Sequence, residues 1–262
     1  MIVSEPETPG PEKPPQVSSF QKLLRRIGIV AGFILIALAA TVGKELGKEL
    51  FANDSTRQAL DGMAAQVHSI GALKRYFPQE YGDYVALIAR GQLHPSIPTT
   101  TADTEQWTQA FLGSHAQQEA AAPAEALAAE TSAFAALASQ LKIESVPTCA
   151  GMVGSGPSTD VPLSPLAQKL ADRVTEARII AAYKGRTIPT IHEAPSVADT
   201  ERLRATMEGL MPGSYDRLAN PVASASQLEM CGTVVALYHA LSSLDPAAQA
   251  RFVSRQRLST RP

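Results

Sequence analysis

The sequence predicts an all-α protein, with a disordered N-terminal tail, one N-terminal transmembrane helix and a helical-bundle-like body. An apolar run without any charged residue extends from Ile27 to Gly43. Beyond it, apolar residues recur at three- and four-residue steps, between capping residues and proline or glycine stops, which indicates amphipathic helices. No stretch shows sustained alternation of β-branched residues, and aromatic residues make up only 5% of the chain, so we expect no strand.

The predicted domains follow this division. A tail rich in proline and glutamate covers 1–19 and has no periodicity, so we expect it to be disordered. The membrane-spanning helix and its charged flanks cover 20–50. An extracytoplasmic helical domain covers 51–262, with a sub-boundary in the loop at 145–162.

The apolar run is long enough for a single membrane span. As a helix it rises about 26 Å, and flanking leucines extend it toward a hydrocarbon core of about 30 Å. One alternative is a cleaved signal peptide, because Ala37 and Ala39 fit the small-residue cleavage pattern, and another is a buried core helix. We favour an uncleaved anchor, because the apolar run continues past the cleavage pattern and a long segment precedes it.

Flanking charge sets the predicted orientation. Lys22, Arg25 and Arg26 stand directly before the span, whereas Lys44 and Lys48 after it are interleaved with glutamates. Positive charge is retained on the cytoplasmic side of membranes. We therefore expect a single-pass protein of the inner (cytoplasmic) membrane, with a cytoplasmic N-terminus and a periplasmic body; the alanine-rich style favours a bacterial source.

Two glycines in the span form a GxxxG pair, Gly28 and Gly32. Small residues at this spacing let two membrane helices approach closely, so a homodimer through this helix is one interpretation. The alternative is that both glycines simply face lipid.

The first helices of the body contain a cluster of aromatic residues. The periodicity predicts one helix over 55–77, a stop at Pro78 and a second helix over 79–89. The residues Tyr76, Phe77, Tyr81 and Tyr84 gather at the corner between them. They are a candidate partner-docking surface, because tyrosine suits both interfaces and lipid headgroups; the alternative is a local core.

A long alanine-rich tract at 101–143 predicts two helices that break at Pro123. The stretch at 147–162 then predicts an irregular loop. Its glycines match no phosphate-binding pattern, because no strand precedes them and no lysine follows them.

The clearest amphipathic helix is predicted from Leu163 to Lys184, with Ser164 as its cap and Gly185 as its end. Its predicted buried face comprises Leu166, Leu170, Val174, Ala177 and Ala181. An extended stretch over 188–195 and a helix over 197–211 are expected to follow.

Two C-terminal helices complete the prediction, over 224–243 and from 245 to about 258. The first has a predicted buried face of Leu228, Cys231, Val235 and Tyr238. In the second, the arginines Arg251, Arg255 and Arg257 are expected to form a solvated face.

The sequence contains two cysteines, Cys149 and Cys231. Their separation fits no compact zinc pattern and no CxxC motif. In an oxidising compartment the simplest interpretation is a disulfide bond between them. The alternative is two buried free thiols.

No catalytic, cofactor or metal site is predicted. The five histidines include no HExxH motif and no pair at ligand spacing. A net charge of −2 with scattered basic residues gives no sign of nucleic-acid binding. An enzyme is therefore the less favoured class, although a site assembled from distant residues stays open.

These observations predict a structural or scaffolding module in the cell envelope or a membrane complex. Its expected partners are the lipid bilayer and one or more envelope proteins. The alternatives are a ligand-sensing ectodomain and an envelope enzyme with a dispersed site.

Overall fold

The computed structural model describes residues 53–93, 101–152, 163–219 and 225–259. Within these ranges the chain forms helices and no strand, which confirms the all-α class. The twelve helices are α1 (Asn53–Met63), α2 (His68–Tyr76), α3 (Pro78–Leu93), α4 (Thr101–Ser114), α5 (Ala116–Ala120), α6 (Ala124–Glu144), α7 (Val146–Gly151), α8 (Pro165–Thr187), α9 (Val197–Leu210), α10 (Ser214–Ala219), α11 (Gln227–Ser243) and α12 (Pro246–Ser259).

The described helices include none that is both long and apolar enough to cross a membrane. The span predicted at Ile27 to Gly43 and the tail at 1–19 lie outside the described residues.

Two long helices, α6 and α8, form the centre of the fold. They pack against each other, and α2 and α5 pack on α8 while α7, α11 and α12 pack on α6. The largest apolar cluster joins α6 and α8 to the C-terminal helices around Cys149 and Cys231, and it includes Phe134 stacked on Tyr238 at 4.9 Å. A second cluster joins α1 to α4 with α8 and contains most of the aromatic residues that the structure describes.

The single helix predicted over 55–77 is in fact two helices, because the chain turns at 64–67. The cause is a distant carboxylate. Asp172 on α8 accepts hydrogen bonds from the backbone amides of His68 and Ser69, at 2.8 and 3.0 Å. These amides are the first donors of α2, so Asp172 caps a new helix start that local periodicity does not reveal.

The start of α8 confirms the predicted cap, because Ser164 accepts from the amide of Ala167 and Pro165 occupies the first turn. Its end differs, since α8 continues through Gly185 to Thr187. The buried face is wider than predicted: Val174 and Ala181 are buried as expected and Leu166 is exposed, but Ala171, Thr175 and Arg178 are buried too. Several helices pack around α8, so its side chains are buried on more than one side. The periodicity of one helix does not show how many neighbours it has.

The C-terminal helices bring one confirmation and two corrections. Cys231 points into the core, as predicted, but Leu228 in the first turn of α11 is 61% exposed. The solvated arginine face predicted for α12 is wrong for Arg257, which is only 2% exposed. Arg251 is ion-paired with Asp199 of α9, and Arg255 is exposed.

Candidate functional site

The aromatic corner predicted as a docking surface lies in the second apolar cluster. Phe77, Tyr81 and Tyr84 are each 4% exposed or less, and Tyr76 is half-buried against Tyr183 with ring centroids 4.7 Å apart. Burial raises the pKa of Tyr84 to about 12. Three of the four side chains are therefore enclosed by the fold, as in the local-core interpretation, and they present no surface to a partner in this state.

The two cysteines come together as the sequence predicts. Their sulfur atoms are 2.00 Å apart, which is the distance of a disulfide bond, and both residues are fully buried. The link joins α7 to α11 across a separation of 82 residues. The other predicted contact residues, Gly28 and Gly32, lie outside the described residues.

The most unusual site among the described residues is a group of four buried charged side chains, which we name the ionic quartet. It consists of Glu119 on α5, Glu130 on α6, Arg178 on α8 and Arg257 on α12. None of the four is more than 3% exposed. Isolated charges are very costly to bury, so such groups are found inside proteins only when they are paired.

The geometry of the quartet is that of interlocked ion pairs. Arg178 donates from Nε and Nη2 to the two oxygens of Glu119, at 2.8 and 3.0 Å. Arg257 donates from Nη2 to Glu130, and its Nε lies 2.9 Å from Glu119 Oε1. Arg178 Nε lies 4.0 Å from Glu130 Oε1. Each carboxylate therefore interacts with both guanidinium groups, and four helices meet at one point.

The two glutamates have opposite protonation tendencies. Burial alone raises the pKa of Glu119, but Arg178 and Arg257 outweigh burial and hold that pKa below its usual range. Burial raises the pKa of Glu130 to about 7; Arg257 opposes this rise and the charge of Glu119 adds to it. The nearby hydroxyl of Tyr238 also has a raised pKa, because it is buried. The pKa values of the two carboxyl groups are thus shifted in opposite directions, because the two arginines outweigh burial at Glu119 and burial outweighs the arginines at Glu130.

A close approach of two backbones positions the quartet. A Cβ atom placed on Gly185 of α8 would lie 1.7 Å from the carbonyl oxygen of Gln118, so only glycine lets α5 lie this close. Glu119 follows Gln118, and Arg178 lies two helical turns before Gly185 on the same face. The glycine that the sequence suggested as a helix stop is therefore a packing position.

The four side chains of the quartet are shielded from solvent and paired with one another, so the quartet holds four helices together. A catalytic pair must reach a substrate within hydrogen-bond distance. The quartet was not predicted from the sequence, although the sequence contains one sign of it. Glu130 lies on the stripe that runs from Leu127 to Phe134, where a charged residue is unexpected.

A second polar pair resembles part of a nucleophilic site. Ser139 Oγ on α6 lies 2.8 Å from His239 Nε2 on α11, at the surface. However, Ser139 donates its hydroxyl hydrogen to the carbonyl oxygen of Ala135 at 2.9 Å. The serine oxygen can therefore only accept a hydrogen bond from the imidazole of His239. A general base needs the opposite direction. This pair is therefore a surface contact between two helices.

The described residues were also searched for a ligand cavity and for a metal site. A cavity of about 10 Å³ lies between α2, α3, α4 and α8 and is lined by side chains such as Tyr84, Trp107 and Phe111. That volume is about the space of one water molecule. The described residues contain no group of three or more histidine, cysteine or acidic side chains arranged to hold a metal ion.

The segment between α8 and α9, at 188–196, exposes apolar side chains, and we name it the 188–196 loop. Ile188 is 64% exposed and Ile191 is 98% exposed. The loop is held to the body by one backbone hydrogen bond and one contact from a histidine side chain. The amide of Thr190 donates to the carbonyl of Ala121 at 2.8 Å, and His192 Nε2 lies 2.7 Å from the carbonyl oxygen of Ala122.

Comparison of this chain with models of known protein families, with curated proteins and with solved structures gave no match.

Proposed function

We propose that this chain is a single-pass membrane protein whose helical body is a scaffolding or interaction module outside the cytoplasm. The observation that carries the interaction role is the 188–196 loop, which exposes two isoleucines and is fixed to the turn between α5 and α6. The apolar run at Ile27 to Gly43, with its asymmetric flanking charge, supports the membrane anchor.

The loop suits a partner-binding role because its conformation is set in advance. Single exposed apolar residues are common on proteins, so exposure of Ile188 and Ile191 alone would carry little weight. Here two prolines, Pro189 and Pro195, restrict the backbone, and hydrogen bonds fix it at two points. Binding to a segment that is already ordered loses less conformational entropy, which favours affinity.

The proposed occupant is another envelope protein with an apolar contact surface. A photo-crosslinking residue placed at Ile191 in the full chain should yield a discrete protein adduct in membranes. The matched control is the same residue at Ile143, which is 80% exposed at the end of α6. Equal adducts at both sites would contradict the proposal that the loop is the binding site. Adducts at Ile191 with lipid alone, or with a second copy of the chain, would show that the partner is not another envelope protein.

A pair of variants tests whether the isoleucines stabilise the complex. The double variant Ile188→Ser with Ile191→Ser should lose partner recovery in mild detergent. The control, Ile143→Ser with Leu166→Ser, removes two apolar side chains that are exposed elsewhere on the body, and it should retain partner recovery. Unchanged recovery from the loop variant would overturn the proposed site.

The anchor and its orientation are tested separately. Fusions after Phe51 should show alkaline phosphatase activity, because the proposal places the body outside the cytoplasm. Fluorescence from green fluorescent protein fused at the same position, with no phosphatase activity, would reverse the orientation.

A further inference from the structure

The C-terminal ends of α2 and α8 meet at the surface and bring two arginines to a pair of tyrosines. The ring centroids of Tyr76 and Tyr183 lie 4.7 Å apart. The guanidinium carbon of Arg75 lies 5.3 Å from the ring centroid of Tyr76. That of Arg186 lies 5.7 Å from the ring centroid of Tyr183, and Arg186 donates to the carbonyl oxygen of Tyr76 at 3.2 Å. We name these four residues and the neighbouring Lys184 the arginine–tyrosine patch.

The patch carries positive charge that the described part of the chain does not neutralise. Arg75, Lys184 and Arg186 are all exposed, and none of them forms an ion pair with a described carboxylate. Lys74, which precedes Arg75 in the last turn of α2, is by contrast paired with Asp61 at 2.8 Å. Basic residues in a last turn favour the helix dipole, which accounts for the cations of each helix separately. The packing of two such ends side by side concentrates their charge at one place.

The patch lies close to the first described helix and hence to the proposed anchor. Asp61 on α1 reaches Lys74, the neighbour of Arg75. It lies eight residues after Asn53, where α1 begins, which is about 12 Å along a helix. The nine residues between Gly43 and Asn53 span at most about 30 Å. The length of the chain therefore allows the patch to reach the lipid headgroups beside the anchor.

We propose that the arginine–tyrosine patch binds anionic phospholipid headgroups of the membrane that holds the anchor. Guanidinium groups pair with phosphate oxygens through parallel hydrogen bonds. Tyrosine has an apolar ring and a polar tip and is enriched where membrane meets water. Such binding orients the helical body on the bilayer and brings the 188–196 loop, which follows α8 directly, near the membrane surface. The proposal deepens the proposed function and rests on its membrane anchor.

Photo-crosslinking in lipid nanodiscs tests the proposal on the purified full chain. The nanodiscs contain phosphatidylcholine alone or an equal mixture of phosphatidylcholine and phosphatidylglycerol. A photo-crosslinking residue at Thr187, which is exposed next to Arg186, should give at least about fivefold more lipid adducts in the anionic nanodiscs, since each basic residue near an anionic surface strengthens binding by about this factor. The same residue at Leu210, which is 56% exposed at the end of α9, is the matched control and should show no such rise. Added salt should reduce the rise at Thr187, because ions screen the attraction.

A pair of charge variants tests whether the patch causes this rise. Arg75→Gln with Lys184→Gln should remove most of it. Neither side chain forms a hydrogen bond or an ion pair with the described residues, so the variant should fold. The control, Arg204→Gln with Arg255→Gln, removes the same charge from two exposed positions elsewhere and should keep the rise. Arg204 is matched to Arg75, because it also lies over a tyrosine ring.

The proposal is overturned if lipid adducts at Thr187 do not depend on phosphatidylglycerol, or if they do so equally at Leu210. It is also overturned if the folded variant Arg75→Gln with Lys184→Gln keeps the full rise. Protein adducts in place of lipid adducts at Thr187 in native membranes would overturn it too, since the occupant would then be an acidic protein. A chain that does not enter nanodiscs contradicts the anchor and this proposal together, whereas a chain that enters without these adducts contradicts the patch alone.

Discussion

The two halves of α6 hold their neighbours by different physical means. The C-terminal half, with Leu137 and Leu141, packs into the apolar cluster around the buried cysteine pair. The N-terminal half places Glu130 in the ionic quartet and contributes Ala126 and Leu127 to a small apolar cluster. We therefore expect substitutions at the apolar end of α6 to cost less stability than substitutions at its ionic end.

The difference lies in what happens when one partner is removed. Loss of an apolar contact costs free energy in proportion to the atoms removed and the cavity left behind. Removal of one partner from a buried ion pair leaves a charge that is neither solvated nor compensated, although replacing both partners together is often nearly neutral. The following predictions test this contrast, from the largest expected effect to the smallest.

Glu119→Leu should destabilise the fold most, by about 3–5 kcal/mol, because arginine cannot neutralise itself by losing a proton. The variant removes the carboxylate to which Arg178 Nε and Nη2 both donate. Urea unfolding followed by circular dichroism measures the loss. Glu125→Leu, at an exposed position on α6, is the control and should change stability by no more than about 0.5 kcal/mol. Equal effects from the two variants would contradict the ionic account.

Loss of the cysteine link should cost somewhat less. Cys149→Ala with Cys231→Ala should reduce the free energy of unfolding by about 2–4 kcal/mol, because the link restricts a long loop in the unfolded chain. The folded form should survive, since the surrounding apolar cluster remains. Thiol labelling of the denatured, unreduced chain checks the bond itself: no label is expected, and two labels per chain would disprove it.

Gly185→Ala should destabilise by about 1–3 kcal/mol, because the added methyl group collides with the backbone of α5 at Gln118. The control is Gly82→Ala on α3, where no atom lies within 4 Å of the added methyl group. That substitution should stabilise by about 0.5–1 kcal/mol through helix propensity. Thermal unfolding of both variants gives the comparison, and a neutral Gly185→Ala would show that α5 is not held close to α8.

Asp199→Asn should have the smallest effect, about 1 kcal/mol at neutral pH. Asp199 accepts two hydrogen bonds from Arg251, at 2.8 and 2.9 Å, and it also accepts from the amide of Ser196. These bonds hold the pKa of Asp199 well below its usual range, so its contribution is present above the unfolded-state pKa and is lost as the pH falls. Below about pH 4, the free energy of unfolding should therefore fall less in the variant than in the unaltered protein. The same pH dependence in both proteins would contradict this.

The sequence predicted local features better than contacts between helices. The cap at Ser164, the break at Pro123 and the approach of Cys149 to Cys231 each have a local or chemical signature. The break before α2 does not, because Asp172 supplies its cap from α8. A helix start of this kind depends on a residue about a hundred positions away.

The quartet escaped prediction for a related reason. Arg257 lies four residues after Val253, on the buried side of α12, but an arginine on a short basic helix is normally solvated. Its burial requires an acid at the matching point on another helix. A charged residue on an apolar stripe is a weak signal in one helix, and it becomes informative when acids and bases occupy such positions on separate helices, as Glu130 and Arg178 also do.

A double-mutant cycle on Glu119 and Arg178 tests the contrast most directly. Glu119→Leu and Arg178→Met should each destabilise strongly, whereas the double variant leaves Glu130 and Arg257 as a matched pair. We predict that the double variant loses less free energy of unfolding than the sum of the two single losses, with a coupling energy of at least about 2 kcal/mol. Additive losses would show that the quartet does not act as a unit and would contradict the account.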